Sequence, residues 1–190
     1  MEDIILVGFG GHAKSLADSI KRGNVYNIIG YTDLEKKEES EYFYLGTDDV
    51  LKEYYFKGVK YAAIGLGYLG KGNIREVLYN KLKNIGYELP VIIDPSALVS
   101  NTAIIGEGTF IGKAATVNAY TKIGKGVIIN TGAIIEHECD VDDFSHVAVS
   151  AVLCGNVKIG KASFVGANAT VIQCIELDRN SIIPAGKIIR

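Results

Sequence analysis

The chain has 190 residues, a formal net charge of −2 and 48% apolar side chains, which predicts a globular protein of one or two domains. It lacks the basic surplus of a nucleic-acid-binding protein, and no apolar run reaches the roughly 18 residues of a membrane span. The N-terminus, MEDIILVGFGG, is unlike a signal peptide, and the three cysteines show no metal-ligand spacing, so we expect a cytoplasmic protein without structural disulfides.

The first 90 residues alternate between strand and helix patterns. Strand-like apolar runs lie at 4–7, 27–33, 60–66 and 90–93; helical spacing lies at 14–22, 46–55 and from about Asn73 onward. The charged stretch 34–44 is expected to be a mobile loop, and Arg75 to lie at the surface of the last helix. This alternation predicts a Rossmann-like α/β domain over 1–90, with a parallel sheet of about four strands, and a second domain over 91–190.

A glycine-rich turn joins the first strand to the first helix. The sequence Gly8-Phe9-Gly10-Gly11-His12-Ala13 fits G-x-G-x-x-[G/A], in which glycines let a phosphate approach the N-terminus of a helix. Asp33 ends the second strand, where a carboxylate can accept hydrogen bonds from a nucleotide, and Gly65 is expected at the same edge of the sheet. The pattern predicts a nucleotide site but does not separate NAD from a nucleotide-sugar, and a glycine turn without ligand is the alternative.

His12 lies at the mouth of this turn. It is either a donor to the diphosphate or sugar, or a histidine that caps the helix or faces solvent.

The second half of the chain has a period of six residues. Sixteen consecutive hexads run from Pro95 to Arg190, and the fifth place of each is Val, Ile or Leu. The third place is mostly small, as at Ala97 and Ala133. This period is neither that of a lone strand nor that of a helix, and it predicts a solenoid in which stacked coils bury a continuous aliphatic column.

One segment of the repeat carries chemistry-bearing side chains. The segment 130–138, NTGAIIEHE, and the sequence FSH at 144–146 contain two of the three histidines. A histidine beside a carboxylate has a fixed tautomer and is suited to act as a general base. The alternative is a solvated His–Glu cluster on the surface.

The repeat resembles the hexapeptide-repeat acyltransferases, which form a left-handed parallel β-helix with three hexads per coil. The GFGGH turn, the AIG of the third strand and the segment IEHECDVDDFSHV further resemble the bacterial nucleotide-sugar N-acetyltransferases, a group that includes relatives of sialic-acid O-acetyltransferases. The resemblance covers nearly the whole chain. It implies acetyl transfer from acetyl-CoA to a UDP- or dTDP-linked 4-amino sugar by a homotrimer, with CoA between adjacent β-helices.

The resemblance also implies residue roles. His137 is the general base and Glu138 makes it more basic; Gly10, Gly11, His12, Asp33 and Gly65 hold the nucleotide-sugar. His146 touches the acetyl-CoA end, and Ala167 and Ala185 lie along the CoA groove. Two departures from the family pattern are a longer loop over 67–72 and a short C-terminal segment, which leads us to expect altered substrate contacts and an incomplete far end of the CoA groove.

With 18 residues per coil, residues that are 18 apart in the chain are expected to lie above one another in neighbouring coils. His137 is expected above Ala119 and below Gly155, whose missing side chain would leave room for a thioester. His137 and His146 are half a coil apart, so they can share a site only if a second copy packs alongside. Sugar O-acetylation and a non-catalytic nucleotide-binding trimer remain alternatives, and Cys139 and Cys154 are weaker candidates as nucleophiles.

Overall fold

The computed structural model describes residues 1–38 and 40–190, and these residues form two compact units. One unit consists of Met1–Gly67 and Ile74–Pro90; the other consists of Tyr68–Asn73 and Val91–Arg190. No helix in the described residues has the length and apolar character needed to cross a membrane.

The first unit is a parallel α/β sheet flanked by helices. Its elements are β1 (Glu2–Val7), α1 (Gly11–Gly23), β2 (Tyr26–Thr32), β3 (Tyr44–Gly46), a 3₁₀ turn (Asp48–Val50), α2 (Leu51–Phe56), β4 (Tyr61–Ile64) and α3 (Ile74–Ile85). The strand order is β3-β2-β1-β4. The apolar run of β1 is fully buried at the centre of the sheet, as expected for a parallel strand covered on both faces.

One sequence expectation for this unit was wrong, namely which segment forms the fourth strand of the sheet. The sheet has four strands, but its fourth member is β3, which lies at the end of the stretch expected to be a loop; residue 39 of that stretch lies outside the described residues. The predicted fourth strand, β5 (Ile92–Ile93), pairs instead with a strand of the repeat, because the Ile92 amide donates to the Thr109 carbonyl. Short strands take whichever edge offers free backbone groups, and periodicity does not reveal that edge.

The second unit is a β-helix of two-residue strands with three parallel sheets. The first sheet contains β5, β8 (Phe110–Ile111), β11 (Ile128–Ile129), β14 (His146–Val147), β17 (Phe164–Val165) and β20 (Ile182–Ile183). The second contains β6 (Leu98–Val99), β9 (Thr116–Val117), β12 (Ile134–Ile135), β15 (Val152–Leu153), β18 (Thr170–Val171) and β21 (Ile188–Ile189). The third contains β7 (Ile104–Ile105), β10 (Lys122–Ile123), β13 (Asp140–Val141), β16 (Lys158–Ile159) and β19 (Glu176–Leu177).

The six-residue period arises from this geometry. The fifth-place aliphatic residues form the core of the β-helix, with Ile129, Ile135 and Val147 at 0% exposure. Four third-place Ser and Thr residues also point inward, and each hydroxyl donates to the carbonyl 15 residues later, as Thr109 does to Gly124 at 2.7 Å; the other three are Thr121, Ser145 and Ser163. A buried hydroxyl without a partner is costly, so this regular pairing lets the core accept polar third places.

The corners of the β-helix from residue 108 onward each contain a residue with left-handed backbone conformation. The second places from Gly108 to Gly186 all have φ between 52° and 69°, including Glu138 at 60° and Asn156 at 57°. This conformation costs about 1–2 kcal/mol for a non-glycine residue. The cost is offset by bonds between coils, because second-place amides donate to carbonyls of the preceding coil, as Glu138 does to Ala119 at 2.9 Å.

The outward strand positions differ among the sheets. On the third sheet they are mainly charged, with Lys122, Asp140, Lys158 and Glu176. On the second sheet they are Leu98, Thr116, Ile134, Val152, Thr170 and Ile188. Of these, Leu98 and Ile188 are 69% and 57% exposed, so the second sheet presents an open apolar face.

Candidate active site on the β-helix and nucleotide pocket of the α/β unit

His137 and Glu138 form a pair at the corner between the second and third sheets of the β-helix. The His137 Nδ1 atom lies 3.1 Å from Glu138 Oε2, and the two side chains are 57% and 62% exposed. An ionised carboxylate only accepts hydrogen bonds, so Nδ1 carries the proton and Nε2 has the lone pair. The pair is accessible to a ligand, and its reactive nitrogen is defined by the carboxylate.

The imidazole lies against Gly155 of the next coil. A Cβ atom at residue 155 would sit 2.6 Å from His137 Cε1 and 2.7 Å from Nε2. The expectation that Gly155 leaves an empty space for a thioester was therefore wrong, because the imidazole itself fills that space. The glycine serves instead to let the ring pack onto the backbone of the neighbouring coil.

A second carboxylate, Glu136, precedes the histidine. Its Oε2 atom accepts a hydrogen bond from Asn118 Nδ2 at 3.0 Å and another from the His137 amide at 3.3 Å. Asn118 lies one coil below Glu136 and its own Oδ1 atom accepts the Ala119 amide at 2.8 Å, which fixes the amide orientation. The sequence reasoning missed this pair, although the 18-residue spacing of Asn118 and Glu136 would have indicated it.

His146 lies on the outer face of the first sheet, away from His137, as the nine-residue spacing predicted. It is only 6% exposed; its Nδ1 atom is 2.6 Å from the Tyr68 carbonyl oxygen and its Nε2 atom is 3.1 Å from Asn130 Nδ2. A carbonyl accepts, so Nδ1 donates and Nε2 accepts from Asn130, whose Oδ1 atom accepts the Thr131 amide. Both ring nitrogens thus have partners within the chain.

The segment Tyr68–Asn73, which the sequence marked as unusually long, belongs to the second unit. The Tyr68 hydroxyl donates to the Ala162 carbonyl at 2.6 Å, while the Tyr68 carbonyl accepts from His146. A Cβ atom at Gly70 would meet Ile182 at 2.9 Å, so the segment packs closely on the first sheet. The sequence analysis included Asn130 in the segment 130–138 and Tyr68 in the longer loop over 67–72, but it did not predict that either would bond to His146.

The cysteines are all free thiols. Cys139 is 1% exposed and its Sγ donates to the Cys154 carbonyl, as its inward third place predicted. Burial raises the pKa of the Cys139 thiol to about 11. A protonated, enclosed thiol is a poor nucleophile near neutral pH.

The predicted CoA groove lies at the corner between the first and second sheets. Val149, Ala167 and Ala185 stack there, and the Val149 and Ala167 carbonyls accept amides of the next coil from Asn168 and Gly186. The amide hydrogens of Ala167 and Ala185 have no acceptor in the described part of the chain. This column and the His137 column thus flank the second sheet, one on each side.

The α/β unit contains a pocket of about 680 Å³ at the carboxyl ends of its strands. Its wall includes all five residues predicted to hold the nucleotide-sugar, namely Gly10, Gly11, His12, Asp33 and Gly65. Thr47, Asp48 and Asp49 from the turn after β3 complete one side and were not predicted. Their contribution depends on the position of the β3 strand, which the sequence pattern did not reveal.

The glycines of this pocket fall into two groups. Gly8 has a φ of 86°, and a Cβ atom at Gly65 would lie 2.2 Å from the Gly8 carbonyl oxygen, so the fold itself needs both glycines. Gly10 and Gly11 have no positive φ, and no atom lies within 4 Å of a Cβ at either position. Intrachain packing does not explain Gly10 and Gly11, whereas close approach of a ligand would.

Asp33 links the strand ends under the pocket. Its Oδ2 atom accepts the Phe9 amide at 2.9 Å, its Oδ1 atom accepts the Leu34 amide at 2.7 Å, and Lys37 lies 3.4 Å away. Desolvation raises the pKa of Asp33, but these amide hydrogen bonds and Lys37 outweigh it and hold the pKa below its usual value. Asp33 is therefore ionised near neutral pH and shapes the turn as well as lining the pocket.

Arg75 was expected at the helix surface, and that expectation was wrong. It is 3% exposed, and its guanidinium donates to the carbonyls of Ile64 and Leu66, which fixes the loop after β4. Burial lowers the pKa of Arg75 to about 10, so it still carries its charge near neutral pH.

Comparison with known proteins identifies both units. Residues 3–82 match the family described as the PglD N-terminal domain, and residues 102–139 and 156–190 match the hexapeptide repeat of succinyl-transferase. The acetyltransferase domain of PglB from Neisseria gonorrhoeae is 30% identical to this chain. The match spans 100% of this chain and 92% of the PglB domain, and the two structures superpose with a TM-score of 0.92. The same domain has been solved with acetyl coenzyme A.

Two further relatives act on, or were solved with, a named sugar. One is a histidine variant of perosamine N-acetyltransferase from Caulobacter crescentus, solved in complex with CoA and GDP-perosamine. It is 27% identical to this chain, the match spans 100% of this chain and 89% of the Caulobacter chain, and the TM-score is 0.93. GDP-perosamine N-acetyltransferase from Escherichia coli O157:H7 is 28% identical over 86% of this chain and 72% of its own length.

The fold and these matches define an acetyltransferase built on a left-handed β-helix of hexapeptide repeats. Within that class, the chain belongs to the nucleotide-sugar N-acetyltransferases.

Proposed function

We propose that this chain transfers the acetyl group of acetyl-CoA to the amino group of a nucleotide-linked amino sugar in the cytoplasm. The observation that carries the proposal is the His137–Glu138 pair, in which Glu138 accepts from Nδ1 and leaves the lone pair on Nε2 of an imidazole that is 57% exposed. The sequence resemblance pointed to a UDP- or dTDP-linked sugar, whereas the named substrate of two relatives is GDP-perosamine. We keep all three nucleotides as candidates.

His137 acts as the general base in this proposal. The neutral sugar amine attacks the thioester carbonyl, a C–N bond forms, and Nε2 removes a proton from the nitrogen. The C–S bond then breaks and the imidazolium returns its proton to the CoA thiolate, so the products are the amide and CoA thiol. Glu138 stabilises the imidazolium and keeps Nδ1 protonated throughout.

Gly155 supplies a second element of the proposed site. The neighbouring first-place amides of Ala119 and His137 are capped by side chains, but the Gly155 amide hydrogen has no acceptor within the described residues. A backbone N–H beside the base can stabilise the oxyanion that develops on the thioester oxygen.

The nucleotide-sugar occupies the α/β pocket in this proposal. Its diphosphate lies beside Gly10, Gly11 and His12 at the N-terminus of α1, where helix amides and the dipole favour an anion. Asp33 accepts hydrogen bonds from the nucleoside, and Gly65 shapes the opposite wall. The absence of any packing reason for Gly10 and Gly11 supports this placement.

CoA lies along the Ala167 and Ala185 column, where their amide hydrogens can bond to the pantetheine chain. His146 stays on the list of acetyl-CoA contacts that the resemblance implies. Its burial and its bonds to Tyr68 and Asn130 require that Tyr68 or Asn130 move before the ring meets a ligand.

We further propose a homotrimer assembled through the second sheet. Four of its six outward residues are apolar, and Leu98, Ile134 and Ile188 among them are exposed, which is typical of a surface that another chain covers. The His137 corner and the CoA corner lie on opposite sides of this sheet. Packing second sheets around a three-fold axis brings the His137 corner of one chain beside the CoA corner of its neighbour, so each site uses two chains.

The test is release of CoA thiol from acetyl-CoA in the presence of GDP-, UDP- and dTDP-linked 4-amino-6-deoxyhexoses. We expect turnover with one of them, and a loss in kcat of roughly 10²- to 10⁴-fold in His137→Ala, the usual effect of losing a general base. Lys158→Ala, on the third sheet, is the control. Absence of turnover with the whole panel, or full turnover by His137→Ala, contradicts the proposal.

A further inference from the structure

Glu136 occupies a sixth place of the repeat, a place at which three neighbouring hexads hold a shorter Asn or Asp side chain. At the sixth places, Asn118, Asn130 and Asp142 each cap the amide of the next residue, at 2.8, 2.8 and 2.7 Å. Glu136 makes the same contact with the His137 amide at 3.3 Å. An Asn or Asp would cap this amide better, so capping does not account for the extra methylene of Glu136.

The extra length places the carboxylate further from the backbone, and the chain holds it there. Asn118 donates to Oε2 from the coil below, and the His137 amide donates to the same oxygen. Within the described residues no donor bonds to Oε1. Glu136 is half-buried, so this oxygen is available at a fixed position beside the catalytic histidine.

The two carboxylates that flank His137 therefore differ in what they bind. Glu138 accepts from the imidazole Nδ1 atom and belongs to the base. Glu136 makes no hydrogen bond to the ring and is held by an asparagine and a backbone amide. Among residues 1–38 and 40–190 no cation pairs with this carboxylate, which directly precedes the histidine proposed as the base.

We propose that Glu136 is the residue that recognises the amino group of the acceptor sugar and discriminates it from a hydroxyl. This inference rests on the proposed N-acetyltransferase function. Alkyl amines are largely protonated near neutral pH, since even an α-amino group has an ordinary pKa of about 8. A fixed carboxylate binds such an ammonium group by a charge-assisted hydrogen bond, whereas a hydroxyl gains only an uncharged one. Once the ammonium has released one proton to solvent, the same oxygen orients the neutral amine through an N–H bond.

The test compares the binding of an amine and of its hydroxyl counterpart. The probes are GDP-perosamine and the same nucleotide-sugar with a hydroxyl in place of the amine, with the UDP- and dTDP-linked pairs used if the wild type acetylates those instead. Dissociation constants are measured by calorimetry with CoA present. We expect the wild type to prefer the amine, and Glu136→Gln to lose roughly 10- to 100-fold of that preference, as expected for a hydrogen bond to a charged group.

A merely structural role for Glu136 predicts a different result. Displacement of His137 would lower kcat at saturating substrate and leave the ratio of amine affinity to hydroxyl affinity unchanged. Loss of amine recognition would instead raise KM for the amine and lower that ratio. Asp142→Asn makes the same carboxylate-to-amide change at the next sixth place and should alter neither quantity. An unchanged ratio in Glu136→Gln overturns the inference while the function stands. If no amino sugar of the panel is acetylated by the wild type, the proposed function fails, and the inference fails with it.

Discussion

The imidazole of His137 packs directly on the backbone of Gly155, although 18 residues separate them in the chain. A Cβ atom at residue 155 would overlap the ring, at 2.6 Å from Cε1 and 2.7 Å from Nε2. The contact fixes one face of the imidazole, while Glu138 fixes its Nδ1 atom. The orientation of the proposed base thus depends on the absence of a side chain in the next coil.

Gly155→Ala should therefore impair catalysis without unfolding the protein. Residue 155 has no positive φ, so the backbone accepts alanine, but the ring must move away from its position. A displacement of about 1 Å costs on the order of 10²-fold in rate. We expect a loss of that size in kcat, with an unchanged melting temperature; wild-type kcat in a folded Gly155→Ala variant would show that the ring position is unimportant.

Substitutions of two glycines that line the nucleotide pocket should separate ligand binding from folding. Gly11→Ala meets no atom within 4 Å and should keep the melting temperature while weakening binding of the nucleotide-sugar in calorimetry. Gly65→Ala places a Cβ 2.2 Å from the Gly8 carbonyl oxygen and should reduce the free energy of unfolding by about 1–3 kcal/mol, the usual effect of overpacking. Neither should alter CoA affinity. Undiminished nucleotide-sugar affinity in Gly11→Ala would remove the main support for the phosphate site.

Charges introduced on two sheets of the β-helix should test whether the second sheet is the surface through which the proposed trimer assembles. Ile134 lies on the second sheet and Ile104 on the third, and both are exposed at 38% and 65%. We expect Ile134→Glu to give monomers by light scattering and to abolish turnover, because burying an unpaired carboxylate in an apolar interface is costly. Ile104→Glu, the matched control, should remain trimeric and active. A trimeric Ile134→Glu protein would contradict assembly through the second sheet.

Mixing two inactive variants tests whether neighbouring chains share a site. His137→Ala removes the base and Ala185→Arg blocks the CoA column, and in the proposed trimer these residues come from adjacent chains. Hybrid trimers then contain some sites with both changes and some with neither. Activity should rise above that of either variant alone after co-refolding. A mixture no more active than its components would place both residues in a site formed by one chain.

The cysteines provide a check on the core that does not depend on activity. Burial raises the pKa of the Cys139 thiol to about 11 from an ordinary value near 9, so the folded protein holds this proton more tightly than the unfolded chain. The resulting stability is present below about pH 9 and is lost as the pH rises toward 11. Cys139→Ala should reduce the loss of unfolding free energy over this pH interval.

Iodoacetamide at pH 8 should modify exposed Cys174 but not Cys139, as mass spectrometry can show.

The sequence alone determined the β-helix and the residues that point into it. Inward direction is a local property of the repeat, so the six-residue period predicted the burial of Ile135, Cys139 and Val147 from the residue types. The 18-residue stacking, taken from the family resemblance, correctly paired His137 with Gly155. The glycine turn was likewise predictable from the sequence, since its residues are contiguous and lie between an apolar strand and a helix.

Only the tertiary structure decided what depends on contacts between distant residues. The pairing of Ile92–Ile93 with the β-helix and the position of β3 follow from which sheet edge offers backbone partners. The burial of His146 follows from the Tyr68 segment, 78 residues earlier in the chain. The orientation of the His137 ring and the hydrogen bonds of Glu136 depend on side-chain rotamers that neighbouring coils select. A one-dimensional pattern gives the side on which a residue lies; packing between coils decides what it touches.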